Sequence, residues 1–400
     1  MKKLLFLTTQ LPYPPVRGGV IVSWHLLSRL VEHYEVSVIC ILKGDDQKNE
    51  ADFLQKLPLA SYHGEALDIG RSPSTILKSY LKGVPINLVR NYSRVLEEKI
   101  HQAIPEHDYV LADHYEMFQY IPQDTASTKV VLHEHNAEFV MWERYSQLSR
   151  HPLRKLMTYL EARRVKAQEK AFCEAADLVL AYPNDKHILE SITNKAVRFQ
   201  EITPCGEEHL QDAPTLIWEE TDPALLFIGS LGWEANRDGL IWFLEQGWER
   251  LKARIPDLQF YIIGPDADDH LHGLAERLDG VILTGFVDDL DEYYRRCRVF
   301  VSPLRFGSGI KIKIINAAHR GMPTVTTSIG VEGMPFVNGE DIFYSDTLNE
   351  LLEQCVQLLQ DQAKWQEMRD QIRNFAQQHF SWAEMVRRIR TQLSALDKEF

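Results

Sequence analysis

The stretch RFGSGIKIK, beginning at Arg305, interleaves three cations, Arg305, Lys311 and Lys313, with Gly307, Ser308 and Gly309. Glycines let a backbone turn its amides towards a ligand, and a lysine or arginine beside such a turn adds full positive charge. The chemistry this combination can do is to hold an oxyanion, with a diphosphate as the best candidate. By spacing alone the segment is ambiguous, because Ile310, Ile312 and Ile314 alternate with the two lysines as in a half-buried strand. Its flanks resolve it: VFVSPL before and GMPTVTT after both read as strands, and a parallel pair needs a crossover helix between them. A helix starting near Gly309 carries an apolar stripe of Ile310, Ile314, Ala317 and Ala318 and stops at Gly321. Lys311 and Lys313 then stand in its first turn, where the helix dipole disfavours cations unless an anion compensates them. The competing reading is that both lysines are ordinary solvated surface groups.

Other chemistry-bearing residues also sit where a strand ends. Gly18 and Gly19 follow the first strand and open a helix, which reads either as a tight turn or as a close backbone approach to a ligand. His114 directly follows the strand YVLAD. His135, Asn136 and Glu138 in HEHNAE follow the strand KVVLH, with His133 inside it. The Asp-x-Asp spacings of IIGPDADD and FVDDLDE suggest a metal at first sight, but each lies where a helix begins, and acidic residues there are explained by capping. No metal is expected, and no Ser-His-Asp arrangement, HExxH or Walker A loop is present to favour hydrolysis.

Short apolar runs alternate with long amphipathic stretches almost from end to end, the signature of βαβ units on a parallel sheet. Strands are expected at LLFLTT, EVSVICIL, YVLAD, KVVLH and LVLAY, then at ALLFIGS, QFYIIG, GVILTG, VFVSP and PTVTT. The fold class is therefore α/β, with two doubly wound Rossmann-like domains: residues 1–206, a linker over 207–222, a second domain over 223–380, and a C-terminal helix over 381–400 with Ser381 as its N-cap. Sheets of this kind bind ligands beyond the carboxyl ends of their strands, so a two-domain version has its natural site in a cleft between facing domains.

The 400-residue chain carries 44 Lys+Arg against 57 Asp+Glu, a formal charge of −13 that argues against a broad nucleic-acid surface. Any anion site must be local. Five scattered cysteines without a C-x-x-C pair indicate neither a disulfide framework nor a zinc site, and fit a reducing cytoplasm. The apolar run of MKKLLFLTT is too short for a signal peptide and reads as a buried strand.

SPLRFGSGIKIKIINAAHRGMPTVTT, preceded by FIGSLGWEANRDGLIWFL and LTGFVDDLDEYYRRCRVFV, closely resembles the donor-binding domain of GT-B glycosyltransferases of family 4. LPYPPVRGG, LHEHNAEFVMWERY and DLVLAYPNDKHIL resemble that family's acceptor-side domain, so the likeness spans nearly the whole chain. The resemblance implies a nucleotide-diphosphate sugar as donor, no further cofactor, and transfer with retention to a hydroxyl of a glycan or lipid-linked acceptor, in envelope or exopolysaccharide synthesis. Lys313 resembles the phosphate-binding lysine, with Arg305 and Lys311 as auxiliary charges and Gly307, Ser308 and Gly309 as the loop. Gly229 and Ser230 would bring backbone near the phosphates, with Asn236 and Asp238 capping a helix. Gly264, Phe286 and Val287 would line the base pocket. His114 matches a position beside the transferred sugar, and Gly18, Gly19, His135, Asn136 and Glu138 fall on the acceptor side. The pattern departs at two places, where family members commonly carry glutamates and this chain has Ser308 and Asn316. An asparagine amide at a ribose diol gives up the charge-assisted strength of a carboxylate, about 1 kcal/mol.

Two other classes stay open: a nucleotide-sugar epimerase on the same plan, and a sugar-nucleotide-binding paralogue without turnover, which Asn316 favours. RHPLRKLMTYLEARRVKAQEK is a basic helical stretch in an acidic protein, and it reads either as a solvated helix or as a peripheral contact with the inner membrane face.

Overall fold

The computed structural model describes residues 1–15, 18–67, 73–148, 151–307 and 309–398. Two units share them: Met1–Pro204 together with Trp382–Phe400, and Cys205–Ser381.

In the first unit the apolar runs form the centre of a parallel sheet, as strands buried on both faces must. The strands are β1 (Lys3–Thr8), β2 (Glu35–Leu42), β3 (Ser61–Ala66), β4 (Tyr109–Asp113), β5 (Lys129–Glu134), β6 (Leu178–Ala181) and β7 (Phe199–Glu201), in the order β3-β2-β1-β4-β5-β6-β7. β1 pairs Lys3 with Glu35 on one side and Leu4 with Tyr109 on the other. The order reverses between β1 and β4, so the loops beyond Thr8 and Asp113 diverge and leave a crevice at the strand ends. The helix Trp382–Leu396 returns to this unit. It buries Trp382, Ile389 and Leu393, stacks Trp382 on His25 with centroids 4.9 Å apart, and is followed by Asp397, which accepts 2.7 Å from the Tyr109 hydroxyl.

The second unit repeats the plan with β8 (Asp222–Ile228), β9 (Gln259–Ile263), β10 (Val281–Gly285), β11 (Cys297–Ser302), β12 (Thr324–Thr326) and β13 (Phe343–Tyr344), in the order β10-β9-β8-β11-β12-β13. Its reversal lies between β8 and β11, at the loops that hold Gly229 and Arg305–Lys313.

The expected linker over 207–222 is laid on the second unit by several hydrogen bonds. Arg320 donates to Pro214 O at 2.7 Å, Arg373 donates to Gln211 O and Ala213 O at 2.5 and 2.9 Å, and Gln211 bonds the His319 ring at 2.5 Å. The crossover helix runs over Ile312–Arg320 with Lys311 as its N-cap, later than the expected start near Gly309, because Gly309 takes a left-handed φ of 71° that a helix cannot contain. It stops at Gly321, in the left-handed conformation, as its sequence predicts. Strands β3, β7 and β13 lie at sheet edges and have no apolar run to announce them. All five cysteines are buried and none forms a disulfide. No described helix is long and apolar enough to cross a membrane.

Candidate functional site

Residues at the strand-order reversal of the second unit are drawn together by backbone first. Gly229 N donates to Ile263 O and Gly264 N to Gly285 O, each at 2.9 Å, so the ends of β8, β9 and β10 are tied side by side. Gly264 has φ of 155°, and a Cβ there would fall 1.9 Å from Gly229 O, so no other residue fits. Beyond β10 the Phe286 side chain is exposed beside half-buried Val287.

Lys313 enters this corner from the second position of its helix. Its ammonium donates to Asn236 Oδ1 and lies 4.3 Å from the Phe227 ring centroid. Asn236 Nδ2 in turn donates to Ser230 O at 2.7 Å. A Cβ on Gly229 would stand 3.4 Å from Lys313 Nζ. Burial pushes the amine well below the usual lysine range, and the nearby Lys311 charge adds to this. Among the described residues no carboxylate pairs with Lys313, so the corner holds one cation against amide, ring and backbone.

The neighbouring charges are placed differently. Lys311 is 4% exposed, donates to Gly309 O, and has its amine 3.7 Å from Glu332 Oε2. It ties the glycine loop to the turn after β12. Arg305 grips Asp238 with both ends of its guanidinium, Nε to Oδ2 at 2.8 Å and a terminal nitrogen to Oδ1 at 2.5 Å, and lies over the Trp242 ring. Gly307 stands with its would-be Cβ 3.4 Å from the exposed Trp233 ring. Ser308 lies outside the described residues.

Three expectations change here. Asn236 and Asp238 do not cap the helix, which spans Glu234–Arg254 with Trp233 as N-cap. Asn236 instead orients Lys313, and Asp238 holds Arg305. Asn316 Oδ1 accepts from Glu207 N at 2.9 Å, which fixes its side chain against the segment entering the unit. The capping reading of the Asp-x-Asp segments holds for the first, where Asp268 is the N-cap and accepts from Leu271 N at 2.9 Å; in the second the N-cap is Leu290 without a side-chain bond, Asp289 accepts from Asp291 N at 2.9 Å just before it, and Asp291 and Glu292 stand in the first turn.

The first unit assembles a different cluster at its own reversal. Asp113 ends β4 and is fully buried. One of its oxygens accepts from His133 Nδ1 and His135 Nε2, each at 2.7 Å, and the other from the Ser23 hydroxyl at 2.5 Å. The Ser23 oxygen also lies 3.1 Å from Gly19 O, within the helix opened by Gly18 and Gly19. Burial alone would raise the Asp113 carboxyl; attraction from the His135 ring and the two imidazole hydrogen bonds outweigh it and hold Asp113 well below the usual range. Burial, then the neighbouring His135, lowers His133 to about 4. His114 has a left-handed φ of 82°, stacks on His135 with centroids 3.7 Å apart, and would stand 3.6 Å from a Cβ on Gly19. Burial and then His135 hold it well below the usual histidine range, and its Nε2 is enclosed without a partner.

Asp113, His114 and His135 offer donor atoms within 4.8 Å of one another, the residue types a divalent cation takes. The rings of His114 and His135 lie only 22° from parallel and the Asp113 oxygen is already shared by two imidazoles, so the geometry is that of a hydrogen-bonded stack.

Asn136 and Glu138 lie at the start of the helix Glu138–Leu148. Its first amides are already occupied: Ala137 N donates to Asp185 at 2.8 Å, and Glu138 N and Phe139 N to the Glu169 carboxylate at 2.7 and 3.0 Å. Burial, then the charge of Glu116, raises the Glu138 carboxyl to about 8 despite a hydrogen bond from Asn136. Burial and then Glu169 raise Glu134, whose Oε1 is enclosed without a partner. Sequence reasoning missed Asp113, Ser23, Glu169 and Glu332. Asp113 was detectable as the acid that ends a strand directly before His114; the other three carry no local signal.

Comparison with known proteins follows this geometry. A protein of the cps region of Klebsiella pneumoniae, itself described as uncharacterized, is 25% identical over 357 residues, 86% of this chain and 87% of that one. Anabaena Alr3699/HepE, solved with UDP and glucose, superposes with a TM-score of 0.70 at 16% identity, over 99% of this chain and 100% of that one. Sucrose-phosphate synthase of Thermosynechococcus elongatus gives a TM-score of 0.70 at 16% identity over the whole of both chains. A TarM variant of S. aureus, solved with fondaparinux, α-GlcNAc-glycerol and UDP, gives 0.72 at 10% identity over 98% of this chain and 100% of that one. Two parallel-sheet α/β units in this arrangement along the chain are the GT-B fold. Residues 222–361, which hold the whole Lys313 corner, match the family model of glycosyl transferases group 1.

Proposed function

We propose that the chain is a retaining glycosyltransferase that moves a sugar from a nucleoside-diphosphate sugar to a hydroxyl of a glycan or lipid-linked acceptor, in capsule or related polysaccharide synthesis, at the cytoplasmic side of the membrane and without a metal. The observation that carries this reading is Lys313: a half-buried ammonium with no carboxylate partner among the described residues, at the strand-order reversal of a unit that matches group 1 glycosyltransferases. UDP in the HepE and TarM structures and the cps-region relative support the donor class and the pathway.

Departure of the diphosphate leaves negative charge on its oxygens, and Lys313 stabilises that charge as it develops. Asn236 keeps the ammonium aimed. Lys311 acts through the loop it ties to Glu332, and Arg305 stands as an outer charge held by Asp238. The departing phosphate oxygen takes the acceptor proton, so no protein nucleophile is needed. Neutral His114 beside Gly19 serves hydroxyl recognition without adding charge.

Thermal denaturation against UDP, GDP and ADP tests the site. A rise with one diphosphate that Lys313→Ala removes supports it, and no rise with any of the three overturns it. Incubation with the matching nucleotide sugar alone separates the epimerase, since an epimerase converts donor without an acceptor and a transferase does not.

A further inference from the structure

Trp233 has no part in the transfer chemistry described so far, and neither capping nor burial accounts for it. It is the N-cap of the helix Glu234–Arg254, a place that favours a short polar side chain, and it makes no capping hydrogen bond. Its side chain is 43% exposed, although an aromatic ring gains much from burial. The backbone around it is nonetheless held from several sides. Leu231 N donates to Pro265 O at 2.8 Å, and Asn236 N and Arg237 N donate to Trp233 O at 3.1 and 3.2 Å. A Cβ on Gly232 would fall 3.0 Å from Asp266 Cβ, so the loops after β8 and β9 are pressed together. On the other side the ring meets the glycine loop after β11. A Cβ on Gly307 would stand 3.4 Å from Cη2 of the indole and 3.9 Å from Lys311 Cε, so glycine at 307 lets ring and loop lie close, with buried Lys311 behind them.

The order of the strands gives this ring a place along a ligand. The carboxyl ends of β10, β9, β8 and β11 lie side by side in that order. Exposed Phe286 and half-buried Val287 follow β10, Gly229 and the Lys313 ammonium stand at the end of β8, and Trp233 leans on the loop that follows β11. Along this row the groups run apolar, cationic, apolar. A nucleoside-diphosphate sugar has the same sequence: an uncharged base, a charged middle and an uncharged sugar. The bond that breaks joins the sugar to the phosphate whose charge must be stabilised, and Arg305, Lys311 and Lys313 all follow β11. The sugar end therefore falls on the β11 side, at Trp233. The C–H groups of a pyranose ring are weakly positive and the face of an indole is negative, so the two attract without any charge being added to the site.

We propose that the open surface of Trp233 stacks on the pyranose ring of the donor, so that this residue holds a neutral hexose separately from the nucleotide that carries it. This rests on the Lys313 corner being the diphosphate site.

The test is titration calorimetry on wild type, Trp233→Ala and Trp233→Phe, first with UDP, GDP and ADP, then with the glucose, galactose and mannose conjugates of whichever base binds. Trp233→Ala is expected to bind the free diphosphate within about twofold of wild type, and the sugar conjugate that wild type binds best about tenfold or more weakly than wild type does. Trp233→Phe keeps an aromatic face and is expected to stay within about threefold of wild type for both ligands. The side chain is exposed and caps nothing, so both variants should melt with wild type. Equal loss of diphosphate and sugar conjugate in Trp233→Ala overturns the proposal, because the ring would then support the glycine loop or the base. Unchanged affinity for both overturns it as well. Wild type that binds none of the three diphosphates removes the Lys313 reading itself, and the stacking falls with it.

Discussion

Replacing Lys313 by methionine separates a binding cation from a structural one. The ammonium touches Asn236 Oδ1 and the Phe227 face, and burial, then the Lys311 charge, already holds its proton affinity down. Methionine removes a desolvated charge and fills most of the same volume, while leaving Asn236 Oδ1 without its donor. These effects oppose each other, so the free protein is expected to change by no more than about 1 kcal/mol. The bound state loses a charge-assisted contact to phosphate, worth about 2 kcal/mol, which weakens nucleoside diphosphate binding about thirtyfold. At a ligand concentration about 100 times the wild-type dissociation constant, ligand stabilises wild type by about 2.7 kcal/mol and the variant by only about 0.9 kcal/mol. Thermal denaturation with and without UDP reads both numbers in one experiment. A variant that melts well below wild type without ligand yet keeps the full UDP shift would refute the reasoning, because Lys313 would then be a packing group.

The other expectations concern residues whose roles the structure reassigns. Asn316→Ala orphans the Glu207 amide and is expected to lower stability by about 1 kcal/mol while changing UDP affinity less than threefold, about 0.6 kcal/mol, in calorimetry; a larger affinity loss would return Asn316 to the ribose. Lys311→Met and Glu332→Gln should each destabilise, and their double-mutant cycle should show coupling of about 1 kcal/mol, since the two share one partly buried pair. Glu138 is raised to about 8, so its contribution to stability is full below the unfolded value of 4.5 and is lost as pH rises towards 8; Glu138→Gln should flatten the denaturation midpoint over that window. His114→Gly keeps a residue at ease with φ of 82° and should leave the fold intact while turnover falls at least tenfold, whereas His114→Val should also destabilise.

Much of the fold was legible because the central strands are continuous apolar runs, and a strand buried on both faces writes itself into the sequence whatever its neighbours are. β3, β7 and β13 were not, because an edge strand can be as polar as SYHGEA or FQE and still pair on one side. The Lys313 corner was legible as a cluster of glycines and cations, since backbone approach and charge are local properties. What each cation does was not local. Lys311 and Lys313 are two residues apart on one helix start, yet one meets Glu332 and the other the end of β8, and only the packing of distant segments decides which. Asn236 reads as a cap from its position near a helix start, but the helix begins at Glu234, and the side chain turns back to Ser230 and Lys313.

The two strand-order reversals carry opposite electrostatics, and this bears on what each can recognise. In the second unit a half-buried cation has no counter-charge among the described residues, an arrangement that is favourable once an anion arrives. In the first unit the buried carboxylate of Asp113 is satisfied by two imidazoles and a hydroxyl, and the histidine beside it is kept neutral. Such a cluster has no free charge to offer a phosphate. Its enclosed His114 Nε2 is a single hydrogen-bonding atom without a partner, and an unmet buried polar atom of this kind discriminates by the ligand group that meets it. A hydroxyl meets it without bringing charge into a site where burial already keeps His114 and His133 from ionising. Anion recognition in one unit and hydroxyl recognition in the other are the two demands that the proposed transfer from a diphosphate sugar makes, and under that reading each is met by residues fixed within its own sheet.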